Sequence, residues 1–225
     1  MSNPYDLVVF DWEGTIADTV GIVLHIVATE ANLLGFGNFD PYQARKYVEL
    51  GLVQALRKTY PHLTTTQHQQ LLQAVQLAMH SRSTDVCLMP GVRELIHQMH
   101  EAKITLAIAT NKGQQSLLRA LQTTGLDNIF KITRSAGQVP AKPCPQMLEE
   151  IIEEHGGTAA TTLMIGDSLT DMEMAKGAQV TAVGIDVYHQ QEESALKAAG
   201  AVVVFDDYEQ IADFLNLSKS SKPQT

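Results

Sequence analysis

The stretch LVVFDWEGT, Leu7 to Thr15, decides the fold: four apolar residues without interruption run into an acid, and a glycine follows at Gly14. An apolar run of this length without alternation reads as a strand buried on both faces, the kind that parallel sheets use. The form recurs at Ile104 to Ala109, Ile129 to Thr133, Thr162 to Ile165, Thr181 to Ile185 and Ala201 to Phe205. From residue 91 onward these runs alternate with helical periods. Gly91 to Ala102 carries Val92, Leu95, Ile96 and Met99; Gln114 to Thr124 carries Leu117, Leu118 and Leu121; Pro145 to His155 carries Met147, Leu148, Ile151 and Ile152. Pro145 suits a first helical turn, where a missing amide hydrogen does no harm. Strand and helix in alternation predict an α/β fold, a doubly wound parallel sheet.

Between Ile16 and Asp85 the alternation stops and only helical periods remain, with Ile22, Ile26 and Leu33 early, Val53 and Leu56 in the middle, and Leu71, Leu72, Val75 and Met79 late. Gly35, Gly37, Pro41, Gly51 and Pro61 mark its turns. A chain of 225 residues is longer than the ~150 typical of one domain, so an inserted subdomain fits. The expected organisation is residues 1–15 and 86–217 as the sheet domain, 16–85 as a helical insertion and 218–225 as a frayed polar tail.

Composition narrows the function. Sixteen Lys and Arg against twenty-five Asp and Glu leave a formal net charge of −9, with no basic stripe, which argues against nucleic acid and anionic membrane surfaces as partners. No apolar run approaches the ~18 residues of a spanning helix. The start MSNPYDLVVFDW has no basic region or cleavage site of a signal peptide, and the two cysteines, Cys87 and Cys144, have no metal-ligand spacing, so a cytoplasmic protein is expected. Composition does not decide between monomer and dimer.

In an open parallel sheet the ligand crevice lies at the carboxyl ends of the strands. Four such ends carry reactive side chains. Asp11 and Glu13 follow the first strand and, if the extended backbone persists, point to one side with Trp12 on the other. Thr110, Asn111 and Lys112 follow the run TLAIA, just before a helix whose free amides favour an anion. Lys142 stands in VPAKPCPQ, between Pro140 and Pro143. Asp167 and Asp171 in LMIGDSLTDMEMA offer paired oxygen donors suited to a hard cation. Each also has a plain structural reading: an acidic loop, a helix cap, a surface lysine, acids placed for the helix dipole.

Taken in order, Asp after the first strand, Thr after a later one, Lys after the following unit, then GDSLTD, the chain resembles the haloacid dehalogenase superfamily over nearly its whole length. The position of the insertion resembles the subgroup with a helical cap between the first two motifs, which includes phosphoglycolate phosphatases and β-phosphoglucomutases. The resemblance implies a Rossmann-like core and a Mg²⁺-dependent phosphatase acting on a small phosphorylated metabolite through an aspartyl phosphate. It gives Asp11 the nucleophile's place and Glu13 that of the acid/base carboxylate, whose main-chain carbonyl also binds the metal. Thr110 takes the phosphoryl-binding hydroxyl's place and Lys142 that of the neutralising cation. Asp167 matches a direct metal ligand. Asp171 matches an acid that places metal-bound water or Lys142, and Asn111 adjoins the phosphate site. Arg45 and Lys46 resemble the specificity stretch of capped relatives, though a solvated basic turn explains them as well; His25 on the first cap helix is read either as facing the site or as a surface histidine.

The first motif departs from the family's usual DxDGT, because this chain reads DWEGT. One extra methylene moves the carboxylate by roughly 1 Å, a misplacement that can cost about 100-fold in rate. Slow turnover, or binding of a phosphorylated ligand without turnover, is therefore an alternative, and Glu13→Asp is expected to raise the rate. A phosphomutase remains open on these motifs, whereas the paired acids Asp167 and Asp171 disfavour a dehalogenase. A second alternative takes Ser168 in GDSL with Asp186 and His189 as an esterase triad, but it leaves Asp11, Thr110 and Lys142 without a role.

Overall fold

The computed structural model describes residues 3–47, 50–81, 86–189 and 192–217. The tail expected over 218–225 and the boundary placed at residue 85 lie outside the described residues. In chain order the elements are β1 (Leu7–Phe10), α1 (Thr19–Leu33), α2 (Pro41–Arg45), α3 (Leu52–Thr59), α4 (Thr65–Ser81), α5 (Val92–Glu101), β2 (Thr105–Gly113), α6 (Gln114–Thr124), β3 (Ile132–Ala136), α7 (Gln146–His155), β4 (Thr162–Gly166), α8 (Leu169–Gly177), β5 (Thr181–Ile185), α9 (Glu193–Ala199), β6 (Ala201–Phe205) and α10 (Tyr208–Phe214). They divide into two compact units, Met1–Ala17 with Leu88–Thr225, and Asp18–Cys87.

The first unit holds a six-stranded sheet in the order β3-β2-β1-β4-β5-β6, parallel throughout. Because β1 and β4 are central, all of their residues are buried, which is why their sequences show no polar alternation. Leu7 and Val9 join Met147, Leu148, Ile151, Met172 and Leu196 in one core, so α7, α8 and α9 cover one face. Val8 and Phe10 point the other way, where Phe130 meets Phe10 edge-on at 6.0 Å. After β3 the chain returns to the far side of β1, so a switch point lies between the carboxyl ends of β1 and β4.

The third strand corrects the sequence reading. It lies at Ile132–Ala136 rather than from Ile129. Ile129 and Phe130 instead bond back to the Leu126 carbonyl at 3.0 and 3.1 Å in a turn, so this apolar pair signals packing under a loop. Pro145 sits at the N-cap of α7, one position before the first turn, and its missing amide is equally harmless there.

In the second unit, Ile26, Val27 and Ala31 of α1 pack with Leu56 of α3, Tyr60, and Leu71 and Val75 of α4. Phe39 adds an edge-on contact to Tyr60 at 5.7 Å. Asp18 caps α1 by accepting from the Gly21 amide at 2.7 Å. Among the described residues, no helix is long and apolar enough to cross a membrane.

Candidate active site

The tips of β1 and β4 place two carboxylates side by side. The register pairs Phe10 with Ile165, and the Asp11 amide donates to the Ile165 carbonyl at 3.0 Å, so Asp11 emerges beside the start of the β4–α8 loop. One carboxylate oxygen from each of Asp11, Asp167 and Asp171 lies within 4.8 Å of the others. Among the described residues, one buried cation enters this group: Lys142 Nζ donates to Asp11 Oδ1 at 2.5 Å and to Asp171 Oδ1 at 2.6 Å. Three acids against one ammonium leave an excess of negative charge in a place with little water.

Burial first, and neighbouring charge second, moves these groups from their ordinary values. Burial pushes the Asp11 carboxyl up, Lys142 pulls it down and Asp171 pushes it up again, for a value of about 6. Asp167 is raised to about 7, by burial first and then by the charges of Asp11 and Asp171, against the opposing hydrogen bond from Thr15. Burial alone would lower the Lys142 ammonium, but its two carboxylate partners outweigh burial and hold it above the ordinary lysine value.

The supporting contacts are local. Thr15 Oγ1 donates to Asp167 Oδ1 at 2.8 Å, while the Thr15 carbonyl accepts from the Tyr208 hydroxyl. Gly14 has φ +85°, and a Cβ built there would lie 2.2 Å from Asp167 Oδ2, so the turn after Glu13 admits only glycine. Asp171 is fully occupied: Oδ1 accepts from Lys142, and Oδ2 accepts from Ser168 Oγ at 2.6 Å and the Ser168 amide at 3.1 Å in a capping box at the start of α8. Thr110 is buried, and its Oγ1 accepts from the Lys112 amide at 3.1 Å. Asn111 Oδ1 accepts from the Lys142 amide at 3.0 Å, so Asn111 holds the lysine's loop.

Glu13 does not join the cluster as the extended-strand expectation required. The backbone turns after Trp12, whose carbonyl accepts from the Ile16 and Ala17 amides at 2.9 and 2.7 Å. The Glu13 side chain is 46% exposed, and its Oε1 accepts from Lys112 Nζ at 2.9 Å.

Residues 8–185 match the model of the haloacid dehalogenase-like hydrolases. The chain belongs to that family. It is 32% identical over 203 residues to a phosphoglycolate phosphatase of Mesorhizobium japonicum, covering 83% of this chain and 84% of that one. It is 25% identical over 189 residues to the pyrophosphatase PpaX of Listeria innocua, covering 82% and 85% of the two chains. A haloacid dehalogenase family hydrolase of Deinococcus radiodurans, solved with bound phosphate and sodium, shares the fold at TM-score 0.72 with 20% identity, covering 98% of this chain and all of that one. The function of this hydrolase is accordingly of the family's phosphatase type.

The other candidates are placed within the helical unit and at the start of α8. Arg45 is buried in the helical unit, where its Nη1 and Nη2 donate to Asp18 Oδ1 and Oδ2 at 3.1 and 2.6 Å; Lys46 beside it is exposed. His25 is exposed on α1. Ser168 spends its hydroxyl on Asp171 in the capping box of α8. Lys112, Thr15 and Tyr208 carry contacts that sequence reasoning did not assign. A lysine two residues after Thr110 was the one available signal for the first of them.

Proposed function

We propose that this hydrolase cleaves small phosphate monoesters, such as 2-phosphoglycolate or a sugar phosphate, by transient phosphorylation of Asp11 in the cytoplasm. The observation that carries the reading is Lys142 Nζ lodged between Asp11 Oδ1 and Asp171 Oδ1, with the Asp167 carboxylate adjoining. A nucleophilic carboxylate needs a fixed orientation and a neighbouring cation before a phosphate dianion will approach it. Lys142 supplies both, and Asp171 and Asn111 hold Lys142.

The donor set fits a divalent metal. Two carboxylates raised by burial and mutual repulsion present oxygen only, the preference of a hard cation such as Mg²⁺. Asp11 and Asp167 would hold it with the Glu13 carbonyl, since Asp171 has both oxygens engaged. When bound, the metal supplies positive charge that offsets the repulsion between carboxylates and phosphate.

The chain's own residues then divide the work. An Asp11 oxygen attacks phosphorus as the ester P–O bond breaks, and the leaving oxygen takes a proton. Water next attacks the aspartyl phosphate, which releases inorganic phosphate and restores Asp11. Thr110, whose oxygen accepts from the Lys112 amide, has its hydroxyl proton for a phosphoryl oxygen. Glu13, whose carboxylate stands beside Lys112 outside the acidic cluster, is the proton donor and acceptor for the leaving oxygen and the attacking water. Phosphate release from a panel of esters, with Mg²⁺, with EDTA and with Asp11→Asn, tests the reading: release that depends on metal and vanishes in the variant is expected. Release unaffected by Asp11→Asn refutes it.

A further inference from the structure

Glu13 is where this chain departs from its family's first motif, and it is also where the structure adds an unassigned partner. Lys112 Nζ donates to Glu13 Oε1 at 2.9 Å, and the two side chains are 26% and 46% exposed. Both ends of the pair stand on constrained backbone. The Lys112 amide is tied to Thr110 Oγ1 at 3.1 Å, in a stretch where the β2–β3 ladder is interrupted between Thr110 and Gly113. Glu13 precedes a turn closed by the Gly14 amide on the Ala17 carbonyl at 2.9 Å. The ion pair thus joins the carboxyl ends of β1 and β2 on the rim of the Asp11 site.

A glutamate carries one more rotatable bond than an aspartate, so a carboxylate at residue 13 has more directions to lose before it can transfer a proton. A cation within hydrogen-bonding distance, on a residue whose backbone is held, favours one of them. We infer that Lys112 is a positioning residue for Glu13: its ammonium compensates for the longer side chain by holding the carboxylate in one orientation at the edge of the site. The inference rests on the phosphatase reading above. An ion pair this exposed adds little to folding stability, so its loss registers in turnover rather than in melting.

The test is a double-mutant cycle of wild type, Lys112→Met, Glu13→Asp and the double variant, with kcat and KM measured for one alkyl phosphate ester in saturating Mg²⁺, and Lys112→Arg and Asp11→Asn alongside. Lys112→Met is expected to lower kcat about 10-fold, short of the ~100-fold of a full 1 Å displacement, with KM and melting temperature close to wild type. Lys112→Arg restores most of kcat. In the Glu13→Asp background, where the carboxylate has one rotatable bond fewer to be held, removing Lys112 changes kcat less than about 2-fold, so the two effects are not additive. Additive effects, or a Lys112→Met enzyme with wild-type kcat, overturn the role of Lys112 while leaving Asp11 in place. Phosphate release that survives in Asp11→Asn overturns the reading of the site itself, and Lys112's role with it.

Discussion

Removing divalent metal and raising the pH should weaken the fold, the reverse of what ion-paired carboxylates usually do. Asp167 is lifted from an ordinary value near 3.8 to about 7 and Asp11 to about 6. A carboxyl raised in the folded state contributes its stability fully below the unfolded value and loses it as pH climbs through the folded one, so the window here is about pH 4 to 7. Each tenfold gain in proton affinity on folding is worth about 1.4 kcal/mol; for half-buried Asp167, partly screened by solvent, the loss comes to about 2–4 kcal/mol. About two of those three tenfold steps fall between pH 5 and pH 8, which after screening is about 1–2.5 kcal/mol and, in a chain of this length, a fall of about 3–10 °C in melting temperature. Melting curves in EDTA should show the fall in wild type and a shallower one in Asp167→Asn, which lacks the titrating group. Saturating Mg²⁺, which needs the ionised form, should stabilise more at pH 8 than at pH 5. A wild-type melting temperature in EDTA that stays level or rises over this range, or a slope identical in Asp167→Asn, refutes the account of repelling carboxylates.

Three further outcomes rest on particular contacts. Gly14→Ala drives a Cβ to within 2.2 Å of Asp167 Oδ2 at a positive φ, so Mg²⁺ affinity by calorimetry and phosphate release should both fall, the latter by about 100-fold or more; wild-type Mg²⁺ binding in this variant would show that Asp167 is not a ligand. Lys142→Met leaves Asp11 and Asp171 without their shared cation and should destabilise the metal-free protein at pH 8 by about 3–5 kcal/mol, and by less at pH 5, as denaturant titration would measure. Arg45→Ala strips buried Asp18 of a two-point partner and should lower stability by about 2–4 kcal/mol, whereas Lys46→Ala, at an exposed position, should stay within about 0.5 kcal/mol. Equal melting temperatures for those two variants would contradict the reading of Arg45 as a structural cation.

The parts of the site that were legible in the amino-acid sequence are those fixed by the backbone. Asp11 and Asp167 each come after a short, continuous apolar run that reads as a central strand, and strands of a parallel sheet deliver the residues beyond their carboxyl ends to one edge. Side-chain choices were less legible. Nothing in DWEGT says that the backbone turns after Trp12 and sends Glu13 toward Lys112, because that depends on a glycine turn closing against Ala17. Arg45 next to Lys46 gives no hint that one is buried on Asp18 and the other exposed, since the difference rests on how α1 and α2 pack. Phe130 read as strand for a related reason: a buried residue in a turn has the same hydropathy as one in a sheet.

An acidic protein that handles an anionic substrate is less paradoxical than its net charge of −9 suggests. The acids at the switch point gather around a buried lysine, and their excess charge suits a divalent cation within the same few ångströms. Without that cation the carboxylates take up protons instead, which is why two of them titrate near neutrality. With it they would ionise, and three carboxylates against the ammonium and a divalent cation come to about neutral, so a phosphate would meet no net repulsion where it enters. The acidity of the surface then matters only to approach, over distances that salt screens within about 10 Å. Lowering the ionic strength should therefore slow association with an anionic ester while leaving kcat unchanged.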